Sequence, residues 1–200
     1  MSAAILRDLA HLEVGLRNAC NCALEERTGF GSHWTACGDA LFSPVMRAKV
    51  RDGRKISVDI NEKPRRSLRR ALAEAGGPSA APGKVVARLM FGFWRYLSSS
   101  AHDVQLWRPY LHHAFPGGTA RSDVDERVGV LHVIRNRVAH HEPLLLADLE
   151  GMFSATVGLA ELIGPRLGAH LLGTSRVPLL IAERPGAAPP ATPGRVATPA

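Results

Sequence analysis

Apolar residues in this chain recur at steps of three and four, and that period constrains the fold more than any other feature. Ile5, Leu9, Leu12, Leu16 and Ala23 fall on one stripe, the pattern of a helix with one buried face. The spacing predicts a helix over 5–26, ended by Gly29 and Gly31. A second long helix reads over 121–141, where Leu131, Ile134 and Val138 lie within roughly 60° of one another on the helical wheel. Residues 84–101, with Phe91, Phe93, Trp94 and Tyr96, read as one apolar helix whose aromatics belong mainly to the core. A shorter element follows in "HDVQLWRPYLHHAFPGG", and a last helix spans 148–172 with an interruption at Gly164-Pro165. Strand-like alternation appears only in "ISVDI", Ile56 to Ile60, and no internal repeat is visible. The expected fold is all-α: one helical domain over 1–183, then a Pro/Ala/Gly-rich tail over 184–200 that should be disordered.

Charge narrows the class of partner. The formal charge is +7 and the pI about 10.0, which favours an anionic partner, most simply nucleic acid. The same excess also arises from the Arg-rich composition of a GC-rich genome, so charge alone is not decisive. Residues 47–70 hold ten Lys or Arg against three acids. Within them "PRRSLRRALAEAGGP" reads as a short helix opened by Pro64 and closed at Gly76. Arg65, Arg66, Arg69 and Arg70 are the candidate contacts to an RNA backbone, with a solvated charged surface as the alternative for each.

No run approaches the ~18 apolar residues of a membrane span, and the N-terminus meets charge at Arg7 and Asp8 instead of forming a secretory h-region. No membrane role and a cytoplasmic address are therefore expected. The odd count of three cysteines, Cys20, Cys22 and Cys37, suits reduced thiols. They could join His33 in a zinc site only on paper, because Cys20 and Cys22 on one helix diverge by about 200°.

The stretch "VLHVIRNRVAHHEPLLL", 130–146, carries the chemistry. Here an apolar helical pattern presents Arg135, Asn136, His140, His141 and Glu142 before Pro143. Asn136 and His140 are four apart on a face turned from the core, with Arg135 about 140° round from His140. A straight helix does not bring Arg135 and His140 together. Either the helix end distorts before Pro143, or the polar face meets its copy across a two-fold axis. The second arrangement is preferred, since Gly129 and Val133 share that outward face. Histidine suits proton transfer at neutral pH, arginine offers a donor fork matched to phosphate oxygens, and asparagine can orient either. The set fits RNA cleavage without metal; a solvated basic helix terminus is the competing account. No metal site is read from His140, His141 and Glu142 or from His112 and His113, where the "HExxH" spacing is absent. No glycine-rich phosphate loop or cofactor fingerprint is present either, and no cofactor is expected.

"RNRVAH", Arg135 to His140, resembles the R-N-x-x-x-H signature of the HEPN superfamily, and "IRNRVAHHEPL" is similar to its Abi-like (abortive infection) branch. "HLEVGLRNA" (11–19) resembles that family's E-x-x-L-R-N helix and "RLMFGFWRYL" (88–97) its F-G-x-W helix. "LWRPYLHHAFP" also looks like family sequence, and the likeness runs over roughly 8–165. One departure is that E-x-x-L-R-N lies close to Met1, where the family carries a further helix ahead of it. The resemblance implies an α-helical bundle that dimerises around a shared cleft. It also implies metal-independent endoribonuclease activity in phage-defence or toxin–antitoxin systems, with a possible cognate antitoxin. Arg135 and His140 would be catalytic and Asn136 would support them. Glu13, Arg17, His141 and Glu142 would assist, Glu13 and Arg17 equally well as a structural ion pair. The alternative is a catalytically silent helical module that binds RNA or a protein partner.

Overall fold

The computed structural model describes residues 1–144 and 147–184. The expected disordered tail falls, from residue 185 onward, outside the described residues. The architecture is mainly helical with one small two-stranded sheet.

Helix α1, Ser2–Arg27, follows the predicted stripe, burying Ile5, Leu9, Leu12, Leu16, Cys20 and Ala23. Thr28 closes it by donating its hydroxyl to the Leu24 carbonyl at 2.8 Å, and Gly29 turns the chain away with a φ of 63°. Cys20 is buried and Cys22 exposed, so their side chains diverge. Burial pushes the Cys20 thiol up to about 12, which makes it an unreactive core residue. Among the described residues no group of three His, Cys, Asp or Glu is placed to hold a metal ion.

After a short helix α2 (Gly38–Leu41), the chain departs from the all-α expectation. Strands β1 (Met46–Arg51) and β2 (Arg54–Asp59) form an antiparallel hairpin. Its tip is Asp52-Gly53, both with positive φ (51° and 75°), the geometry that two-residue hairpin turns require. The hairpin is fastened at its base. The backbone N–H groups of Val45 and Asn61 both donate to Asp59 Oδ1, at 3.0 and 2.9 Å. Arg65 clamps the other carboxylate oxygen at 2.6 Å while donating to the Phe42 carbonyl at 2.8 Å. Those donors, the Val45 amide foremost and then Arg65, hold the Asp59 carboxyl below its usual range. Asn61 is 1% exposed and donates to the Ser43 carbonyl at 2.7 Å. Its Oδ1 accepts from His102 Nε2 at 2.9 Å, so the hairpin base is tied to the chain 41 residues further on.

Helix α3 (Glu62–Ala75) begins two residues before Pro64 and ends at Gly76, a left-handed cap with φ of 116°. The helix expected over 84–101 is instead two short ones, α4 (Pro82–Arg88) and α5 (Phe91–Leu97). Leu89 and Met90 between them are extended. The break lets Trp94 and Phe93 pack together edge-on at 5.0 Å and both meet Trp34 at 6.2 Å. Burial of these rings outweighs the few backbone bonds of an unbroken helix. Phe91, Phe93 and Trp94 are core residues, as expected. A 3-10 turn (Ser100–His102), a π-helical segment (Asp103–Trp107) and a second 3-10 turn (Leu111–Ala114) lead on.

Helix α6 (Arg121–Ala139) buries Val124, Val128, Leu131, Ile134 and Val138 against α1, α5 and the next long helix, Leu149–Ile163. It stops two residues short of the predicted end. The final run is three helices, α7 (Leu149–Ile163), α8 (Pro165–Thr174) and α9 (Val177–Ala182), with the break between α7 and α8 at the predicted Gly164-Pro165. Asp148 caps α7 by accepting from the Gly151 N–H at 2.8 Å. Among the described residues no helix is long and apolar enough to cross a membrane.

Candidate active site and cationic cleft

One edge of α6, beside its buried face, carries Asp125, Gly129, His132 and Asn136 at steps of four, three and four. Such steps place side chains in a single row along a helix. Helix α5 packs beside that row, and two glycines set how closely. A Cβ at Gly129 would stand 3.2 Å from Arg95 Nε, and one at Gly92 would stand 3.3 Å from His132 Nε2. The missing methyl groups let the Arg95 guanidinium lie across α6, where it pairs with Asp125. They also let the His132 ring approach α5, where it stacks on Phe91 with centroids 6.0 Å apart. Arg121 donates to the second Asp125 oxygen at 3.3 Å, so that acid is shared between two cations.

From His132 the row continues into the predicted motif. Asn136 Nδ2 donates to His132 Nε2 at 3.3 Å, and Arg135 Nη1 donates to Asn136 Oδ1 at 3.4 Å. Nε2 accepts in this arrangement, which needs a neutral ring. Burial lowers the His132 pKa, and the positive charges of Arg95 and Arg135 lower it further. The three-residue relay Arg135–Asn136–His132 is thus a polar chain with a defined direction of donation.

The row borders a cleft of about 520 Å³ between the hairpin and α5–α6. Arg47, Lys49, Lys63, Arg95, Tyr96 and His132 are among its lining residues. The Lys63 ammonium lies 5.3 Å from the centre of the Tyr96 ring, an attraction to the π face.

The structure brings together only part of the set named from sequence. Arg135 and Asn136 are joined. His140 follows the last residue of α6; its backbone N–H donates to the Asn136 carbonyl at 2.9 Å, and its exposed side chain is not hydrogen-bonded to Arg135 or Asn136. His141 is exposed in the left-handed region, with φ of 58°. Glu142 accepts from Arg137 Nε at 3.2 Å, fastening the turn after the helix. The expected Glu13–Arg17 ion pair is not formed. Arg17 instead donates to the Ala87 carbonyl at 3.4 Å, because the C-terminal end of α4 offers it a negative dipole end. The four α3 arginines all face acids: Arg65 with Asp59, Arg66 with Glu62 at 3.7 Å, Arg69 with Asp39 at 2.8 Å and Arg70 with Glu74 at 2.7 Å. Arg65 is mostly buried and serves the hairpin base; the other three are exposed.

His132 and Arg95 lie outside the set of residues that the sequence singles out. His132 did carry a signal, standing four before Asn136 and three before Arg135. Arg95 carried none, since its partner Asp125 lies 30 residues away.

No protein-family model, curated protein or solved structure matches the chain.

Proposed function

We propose that this chain is a metal-independent endoribonuclease of phage-defence or toxin type, a HEPN-like bundle acting as a cytoplasmic homodimer. The observation that carries the proposal is the Arg135–Asn136–His132 relay bordering a cationic cleft, with His140 presented one turn further along. In the reaction His140 moves a proton at the 2′-hydroxyl or at the leaving 5′-oxygen. Arg135 lends its donor fork to the charge that grows on the phosphate oxygens. Asn136 is a positioning residue: its amide oxygen fixes Arg135 and its NH₂ is spent on His132.

Dimerisation supplies what one chain lacks. His140 and Arg135 are not joined within a protomer, and Val130 and Val133 stand exposed beside them, Val133 at 57%. Two copies meeting on this face would cover those valines and bring Arg135 of one protomer toward His140 of its partner. A cognate antitoxin is a further partner under this reading.

The test is cleavage of single-stranded RNA in EDTA by wild type, Arg135→Ala and His140→Ala. Loss of the proton-transfer group should slow cleavage by about 10²–10⁴-fold. Wild-type cleavage by His140→Ala sinks the assignment. The separation of His140 from Arg135 in one protomer favours a second reading, a catalytically silent RNA-binding module, which would retard RNA in a gel and leave it uncut.

A further inference from the structure

The cleft points to how a substrate would reach the relay. Directly opposed residues of an antiparallel pair share a face, so Arg47 and Val58, Lys49 and Ile56, and Arg51 and Arg54 lie on one side of the hairpin. Arg47, Lys49 and Val58 from that face line the cleft. Arg47, Lys49 and Arg51 therefore form a row of cations at every second residue, spaced about 6.6 Å apart, comparable to successive phosphates of an extended nucleic-acid strand. Arg47 and Lys49 face Val58 and Ile56, which neutralise nothing, and neither makes an ion pair among the described residues. Lys63 also lines the cleft, its ammonium over the Tyr96 ring. The acids nearby are engaged: Asp59 with Arg65, and Glu62 with Arg66.

We propose that the hairpin cleft is a channel for single-stranded RNA. The phosphates track Arg47, Lys49 and Arg51, and an unpaired base packs on Tyr96, delivering the strand toward His132, Asn136 and Arg135. The Tyr96 ring at the cleft is what selects a single strand, because a base already paired and stacked in a duplex has no face to offer it. The proposal rests on the ribonuclease reading for its direction but concerns binding alone. It also moves RNA recognition from the acid-paired arginines of α3 to the hairpin.

The test uses a fluorescein-labelled, single-stranded oligoribonucleotide with every 2′-hydroxyl methylated, so that binding is read without cleavage. Anisotropy is followed over a salt series for the full chain, for K49E/K63E and for R66E/R70E. Both variants change net charge equally at exposed positions. A general electrostatic effect would weaken both alike. The channel predicts a loss of about tenfold or more in K49E/K63E, with the log–log salt slope shallower by about 0.7 per lost phosphate contact. R66E/R70E should stay within about twofold of wild type. Equal loss in both variants, or no salt-sensitive binding by wild type, overturns the channel. If charge reversal disturbs folding, judged by circular dichroism, K49A/K63A replaces it with a smaller loss in the same direction. Cleavage of the unmethylated strand separates the two proposals. Cleft-dependent binding without cleavage by wild type removes the nuclease and keeps the channel. Arg135-dependent cleavage with binding indifferent to the cleft removes the channel and keeps the nuclease.

Discussion

The hairpin and helix α3 carry equal positive charge and put it to different uses. Each holds five of the ten cations between 47 and 70: Arg47, Lys49, Arg51, Arg54 and Lys55 in one, Lys63, Arg65, Arg66, Arg69 and Arg70 in the other. Every arginine of α3 meets a carboxylate. In the hairpin, among the described residues, only Arg51 does, against the fully exposed Asp52 at 3.8 Å. Periodicity accounts for Arg66 and Arg70, while Arg65 and Arg69 reach acids outside α3, Asp59 and Asp39. A helix offers an acid four residues away, as Glu62 and Glu74 do here, whereas a strand offers only its cross-strand neighbour, here Val58, Ile56 or Arg54. A count of cations therefore says little about where an anion binds; the placement of their acids says more.

The two regions also differ in how they are held, and the largest expected effect tests that. α3 is pinned by Leu68, which is 2% exposed, so Leu68→Ala should cost about 2–5 kcal/mol in urea unfolding. A cost near zero would show that α3 is not the structural element described. Acid should come next. The His102 pKa is lowered, chiefly by burial, partly offset by its bond to the Tyr96 carbonyl and reinforced by Arg47; that of His132 is lowered by burial, Arg95 and Arg135. A histidine with a depressed folded pKa contributes stability that is fully present above its unfolded value of 6.5 and lost as pH falls below it. The thermal midpoint should drop in that window, and the drop should shrink in His102→Gln. A midpoint that rises on acidification would contradict the neutral, accepting role given to His132. Asp59 acts in a lower window: its depressed carboxyl stabilises the hairpin base above the unfolded carboxylate value and stops doing so as pH falls through the folded one. Asp59→Asn should hasten proteolysis between 46 and 59 at neutral pH. The smallest effect is expected at Val50, 64% exposed on the strand, where Val50→Ser should shift stability by no more than about 0.5 kcal/mol.

What the sequence made legible depended on whether the deciding contact was local. α1 and the body of α6 follow from apolar spacing, and the α3 terminus from Gly76. The hairpin had a local signal in Asp52-Gly53, but its strand "MRAKVR" is exposed throughout. Met46, Ala48 and Val50 do alternate with Arg47, Lys49 and Arg51, but no face of the strand is buried, so the alternation marks the strand without marking a core. The break at Leu89–Met90 has no glycine or proline to announce it; aromatic packing with Trp34 sets it from about 60 residues away. In the candidate site, Arg135 and Asn136 were visible as a motif, while Arg95 entered through a non-local ion pair. Glu13 and Arg17 had the right spacing to pair, but a nearby carbonyl took the arginine.

Gly92 and Gly129 couple residues on neighbouring helices. Each leaves just enough room for one polar group of the neighbouring helix, His132 for the first and Arg95 for the second. A methyl at either position would force its partner to shift by a few tenths of an ångström, and a larger side chain would displace it. Inheritance should then treat Gly92 with His132, and Gly129 with Arg95, as linked characters. A descendant that replaces either glycine with a bulky side chain should lose the ring or guanidinium it accommodated, whereas alanine asks only a small shift of it.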